Sequence, residues 1–145
     1  MVNKSQKYTL SRDQSEQILK NEVKCIFFMK QIFFENRKND EKIFLQTMVV
    51  NHKLWTKEDY WEFMVFNAVD CALDNLNEFG NEDAEELEEK KKSVIASTFV
   101  SYSHMMDSFC VDKEKIFSIL QRGREKYGLS QSELPVEEII MTFHC

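Results

Sequence analysis

Residues 56–80 read TKEDYWEFMVFNAVDCALDNLNEFG, and the period of their apolar positions decides the fold class. At 100° per residue, Trp61, Met64, Val65, Ala68, Val69, Ala72, Leu73, Leu76 and Phe79 fill one broad arc, while Asp59, Asp70, Asp74 and Asn77 gather on the other. Thr56 before Lys57, Glu58 and Asp59 has the form of an N-cap with acids in the first turn, where the helix dipole favours them. Gly80 supplies a stop. The spacing predicts a helix over 57–79. Its first half, with Tyr60, Trp61, Phe63 and Phe66 on several sides, is expected to be its most buried part.

The same signals continue on both sides. Glu82 to Glu89 followed by Lys90 to Lys92 reads as the acidic first turns of another helix, with Glu86–Lys90 and Glu88–Lys92 as i,i+4 pairs. Val94, Ile95, Phe99, Tyr102, Met105, Met106 and Phe109 carry its apolar stripe to about Cys110. Asp112 caps a further helix through Tyr127, with Ile116, Phe117, Ile119 and Leu120 inward and Gly128 ending it. Pro135 suits the first turn of a short helix to Thr142. Toward the N-terminus, Ser11 opens a helix expected to run to about Asn36, and Asn39 or Asp40 caps one of about ten residues that buries Ile43, Phe44 and Met48. Residues 1–10 have no periodicity and read as a mobile leader. The expectation is one all-α domain over 11–145, a bundle of five or six helices with the third and fourth as an antiparallel core pair. The alternative is α+β, with a hairpin in residues 24–50, because the run from Ile26 to Phe34 is also rich in aromatic and β-branched residues.

A chain of 145 residues that is 43% hydrophobic, with three Gly and one Pro, can bury a sizeable core, and this composition excludes collagen-like and low-complexity classes. The densest apolar stretch, Cys25 to Phe34, is broken by Lys30 and Gln31 and falls short of the ~20 residues a bilayer needs. The N-terminus lacks an apolar signal core, so the expected location is cytoplasmic. Cysteines at 25, 71, 110 and 145 lack the close pairs of zinc knuckles or redox dithiols and read as reduced thiols, mostly in the core.

The net charge of −6 is unevenly placed: +4 over residues 1–53, −10 over 54–112, and none over 113–145. That layout argues against sequence-independent nucleic-acid binding, which needs clustered Lys and Arg, and favours a basic protein partner or head-to-tail self-association. No Gly-rich phosphate loop and no Ser-centred nucleophile elbow occurs, and no cofactor is implied.

Glu125, Lys126, Tyr127, Gly128, Leu129, Ser130, Gln131, Ser132, Glu133 and Leu134 resemble the turn of a DNA-binding helix-turn-helix, which implies phosphate contacts by Arg122, Arg124 and Lys126. Pro135 then falls inside the recognition helix, and an ordinary helix C-terminus followed by a capped short helix accounts for the same residues. The spacing of Glu85, Glu88 and Asp107 resembles the doubled acidic positions of all-α nucleotide pyrophosphatases, implying a metal-dependent hydrolase, although no Glu-x-x-His element is present. His104 with Asp107, and Asp70 with Asp74, stand one turn apart without further ligands, so no metal site is assigned. The leading expectation is a non-catalytic protein-interaction module, an accessory or regulatory factor acting through the acidic helical surface of Asp59, Glu62, Asp70, Asp74 and Glu78. Met105 and Met106 are added as a possible repacking contact, since methionine-rich surfaces adapt to varied partners.

Overall fold

A computed structural model of the chain describes residues 17, 21, 24–25, 28–29, 31–36, 38–77 and 83–144. The expected leader, the Ser11 cap, Glu78, Phe79, the Gly80 stop and Cys145 lie outside these residues. The fold is all-α, with five helices among the described elements: α1 (Leu45–Val49), α2 (Glu58–Asn77), α3 (Ala84–Ser108), α4 (Lys113–Lys126) and α5 (Val136–Met141). Contacts divide the chain into two compact units, Met1–Met48 and Val49–Cys145, although no Gly-, Pro- or Ser-rich linker marks the division.

In the first unit, the described residues from Gln17 to Gln31 are helical, and two strands follow, β1 (Phe33–Asn36) and β2 (Glu41–Phe44). The antiparallel register pairs Phe33 with Phe44 and Asn36 with Glu41. Two expectations are therefore corrected. The first helix stops before Phe33, and residues 41–44 form a strand instead of the start of a ten-residue helix. The turn explains why: Asp40 takes a left-handed φ of 53°, and the Asn39 carboxamide oxygen accepts from the Glu41 N–H at 3.4 Å. Asn and Asp tolerate this conformation without glycine. Across the strands, the Phe33 and Phe44 rings meet at 5.7 Å, with the Lys42 ammonium 4.6 Å from the Phe33 centroid.

The second unit is built on three helices. Trp61 meets Phe109 at 5.7 Å and Phe66 meets Phe99 at 5.9 Å, so α2 and α3 run antiparallel, the core pair expected from their stripes. Lys115 donates to the Thr56 carbonyl at 2.8 Å, Arg122 reaches Glu58 and Glu62, and Tyr127 reaches Asp70, so α4 ascends beside α2. Trp61, Met64, Phe99, Met106, Ile116, Ile119 and Leu120 are fully buried between them. Gly123 makes the α3–α4 approach possible: a Cβ there would lie 2.2 Å from Phe99 Cζ.

Helix ends follow local chemistry. Asp112 accepts from the Glu114 N–H at 3.3 Å and opens α4. Gly128 (φ 65°) closes it in a Schellman turn, with Leu129 N–H on the Arg124 carbonyl and Gly128 N–H on that of Glu125. The same pattern ends α3, with Cys110 in the left-handed position. Thr56 does not cap α2 as expected. It ends a 3-10 turn, Lys53–Thr56, and its hydroxyl donates to the Lys53 carbonyl at 2.7 Å. The cysteines also differ from expectation: Cys25 and Cys110 are exposed and Cys71 is half-buried. Cys110 is turned outward by its left-handed backbone, and Cys71 lies at the edge of the α2 stripe.

The loop after α4 is a single capped turn. Glu133 accepts from the Ser130 N–H at 2.7 Å and from its hydroxyl, while the Glu133 N–H reaches Ser130 Oγ at 3.3 Å, a capping-box geometry. The expected Glu88–Lys92 pair gives way to Lys92–Glu133 at 2.9 Å, and Lys91 takes Glu88. The Ser130 backbone N–H, then Lys92 and the Ser130 hydroxyl, hold the Glu133 carboxyl down at about 2. A lowered folded-state value means that this contribution is complete above the ordinary glutamate value of 4.5 and is lost as pH falls toward 2. Thermal unfolding measured across that interval is expected to show Glu133→Gln less stable than the parent at neutral pH, with the gap closing in acid. A gap independent of pH would remove the carboxylate from this role.

Candidate functional site

Along α2, positions 59, 62, 63, 66, 67 and 70 recur at helical spacing and face away from the buried arc of Trp61, Met64, Val65 and Val69. With Lys126 at the end of α4 they line a groove of about 380 Å³. Three of the residues expected to bind a partner, Asp59, Glu62 and Asp70, thus meet around one depression. Asp74 is exposed one turn beyond it.

The carboxylates are not equivalent. The Arg122 guanidinium bridges Glu62 (Nε to Oε1, 2.8 Å) and Glu58 (Nη2 to Oε1, 2.5 Å), and these two acids raise its pKa further above the usual range. Asp70 accepts from the Tyr127 hydroxyl at 2.7 Å. Burial first, and then this carboxylate, push the tyrosine's pKa well above its ordinary value. Asp59 and Asp74 have no ion pair among the described residues. The floor is aromatic: Phe66 is half-buried against Phe99 and Tyr127, with the Lys126 ammonium 4.7 Å from its centroid. Phe63, expected inside, is 57% exposed, because the wide apolar surface at the start of α2 exceeds what α3 and α4 cover.

No family model, curated protein or solved structure matches this chain.

Met105 and Met106 do not belong to a surface. They are 2% and 0% exposed, since the α3 stripe that carries them is the core itself. The helix-turn-helix residues are also otherwise engaged. Arg122 is held by two acids, the Arg124 Nη1 is buried without a hydrogen-bond partner 3.9 Å from Glu137, and Lys126 sits over Phe66. The segment between α4 and α5 is nine residues long, and α5 has six. A recognition helix of the motif follows a much shorter turn.

Glu85 and Glu88 line a second, wider groove of about 690 Å³ beside Lys92 and Glu133, whereas Asp107 lies on α3 some 19 residues later, roughly 28 Å along the axis. They do not converge. His104 stacks edge-on against Phe143 at 5.4 Å, and Asp107 accepts from the His144 N–H at 3.4 Å. No group of three or more His, Cys, Asp or Glu side chains is placed to hold a metal ion among the described residues. No helix among them is long and apolar enough to cross a membrane.

Sequence reasoning missed Phe63, Phe66 and Lys126 as site residues. Only the reach of α4 back to α2 places Lys126 in the groove.

Proposed function

We propose that this protein is a non-catalytic interaction module, an accessory or regulatory factor whose acidic α2 face binds a basic segment of another protein. The observation that carries the reading is the convergence of Asp59, Glu62 and Asp70 with an exposed phenylalanine around one groove. The −10 charge over residues 54–112 supports it, because a field of one sign steers an oppositely charged partner to the face. The cysteines at 25, 71, 110 and 145, which lack the close spacing of redox dithiols, support a reducing, cytoplasmic setting.

The test is charge reversal in place. Asp59→Lys, Asp70→Lys and Asp74→Lys together are expected to slow association with a basic partner at least tenfold at low salt and to flatten its dependence on ionic strength. Circular dichroism confirms that the helices remain. Unchanged association rates in the folded triple variant would reduce the face to a solubility device.

A further inference from the structure

The groove on α2 already holds one ammonium group, the chain's own. Lys126 Nζ lies 4.7 Å from the Phe66 centroid and 5.1 Å from that of Tyr127, and Asp70, one turn after Phe66, lines the same depression. An aromatic face with a carboxylate one helical turn away is a seat for a cation: the ring's quadrupole attracts the charge and the acid adds Coulomb energy. About two turns nearer the N-terminus the pair recurs in reverse order, as Asp59 and Phe63. Both line the groove, yet Phe63 is 57% exposed and has no aromatic or cation contact among the described residues. Asp59 is exposed and has no ion pair among them.

We propose that Phe63 and Asp59 form a second cation seat, which takes the ammonium or guanidinium of a lysine- or arginine-bearing segment of a partner protein. This rests on the acidic-face reading above and adds that an aromatic ring, beyond charge, selects the ligand. The chemistry of the filled seat identifies the occupant of the open one. The wider groove on α3 offers no such pairing. Its cation, Lys92, is tied to Glu133, and its apolar lining is Ala96 and Val100.

The experiment titrates the full chain with a short fluorescent peptide alternating lysine and serine, read by anisotropy at low ionic strength. Phe63→Leu keeps an apolar side chain but loses the quadrupole, and is expected to weaken binding by about two- to fivefold, the range of exposed cation–π contacts. Phe63→Trp tightens binding, and Asp59→Asn weakens it and lowers its salt dependence. Phe63 is on the surface, so these variants keep the fold. If both Phe63 variants bind like the parent while the triple charge reversal weakens binding, the seat is refuted and the acidic face stands. If the parent does not bind the peptide in a salt-sensitive way, both are refuted.

Discussion

Gly123→Ala is expected to destabilise the second unit by roughly 2 kcal/mol, seen as a lower urea midpoint at unchanged slope. Helix propensity alone requires the opposite sign, since alanine exceeds glycine by about 1 kcal/mol inside a helix. Packing decides. The new Cβ would stand 2.2 Å from Phe99 Cζ and 2.4 Å from Cε1, and that ring is fully buried, with the Phe66 and Tyr127 rings about it at 5.9 and 6.0 Å. The ring cannot yield without pushing both neighbours, and interiors at crystal-like density transmit such displacements. Shrinking the obstacle tests the cause. Phe99→Leu is itself destabilising, but Gly123→Ala with Phe99→Leu is expected to cost less than the two separately, with a coupling on the order of 1 kcal/mol. A more stable Gly123→Ala variant would show that α3 and α4 are not in this contact.

That glycine shows where sequence reasoning succeeds and where it fails. Ile116, Ile119 and Leu120 mark the buried face of α4, and Gly123 continues their i,i+3 and i,i+4 spacing, so its place on that face could have been read. Its partner could not, because Phe99 is 24 residues away and nothing local records the approach of two helices. Ends closed by residues of special chemistry were legible. Asp112 and Gly128 are such residues, whereas the left-handed turn at Cys110 is imposed by its surroundings on a side chain with no preference for it. The segment 33–44 was ambiguous for a physical reason. Aromatic and β-branched residues suit a buried helix and a strand alike, and a turn carried by Asn39 and Asp40 without glycine is a weak local signal. The acidic face was legible as a list of positions on α2. Its inequality was not, because the clamp that occupies Glu58 and Glu62 comes from Arg122, 60 residues from Glu62, and the cation over Phe66 comes from Lys126.

Trp61→Ala is expected to cost about 3–5 kcal/mol, a large part of the stability of a domain this size. Trp61 is 0% exposed and contacts the rings of Trp55, Tyr60 and Phe109. Its indole N–H donates to the Trp55 carbonyl at 2.8 Å, while the Trp55 indole donates to Val49 at 2.6 Å, so one side chain fastens the 3-10 turn to the start of α2. Trp61→Phe separates the two contributions. It keeps most of the ring volume but removes the donor, and the smaller loss, about 1–3 kcal/mol, measures the carbonyl left without it. Both tryptophans of the chain lie in this cluster, so Trp55 becomes the sole tryptophan and, under indole-selective excitation, reports the loosening of its own turn during urea unfolding. Trp61 and Phe63 stand two positions apart on opposite sides of α2, which makes the pair a control for one another. Under conditions where the variant stays folded, Trp61→Phe should lower the urea midpoint and leave lysine-peptide affinity unchanged, while Phe63→Leu should do the reverse. If Trp61→Phe weakened the peptide as much as Phe63→Leu does, the groove would depend on the integrity of the whole helix, and the separation of a packing face from a binding face on α2 would fail.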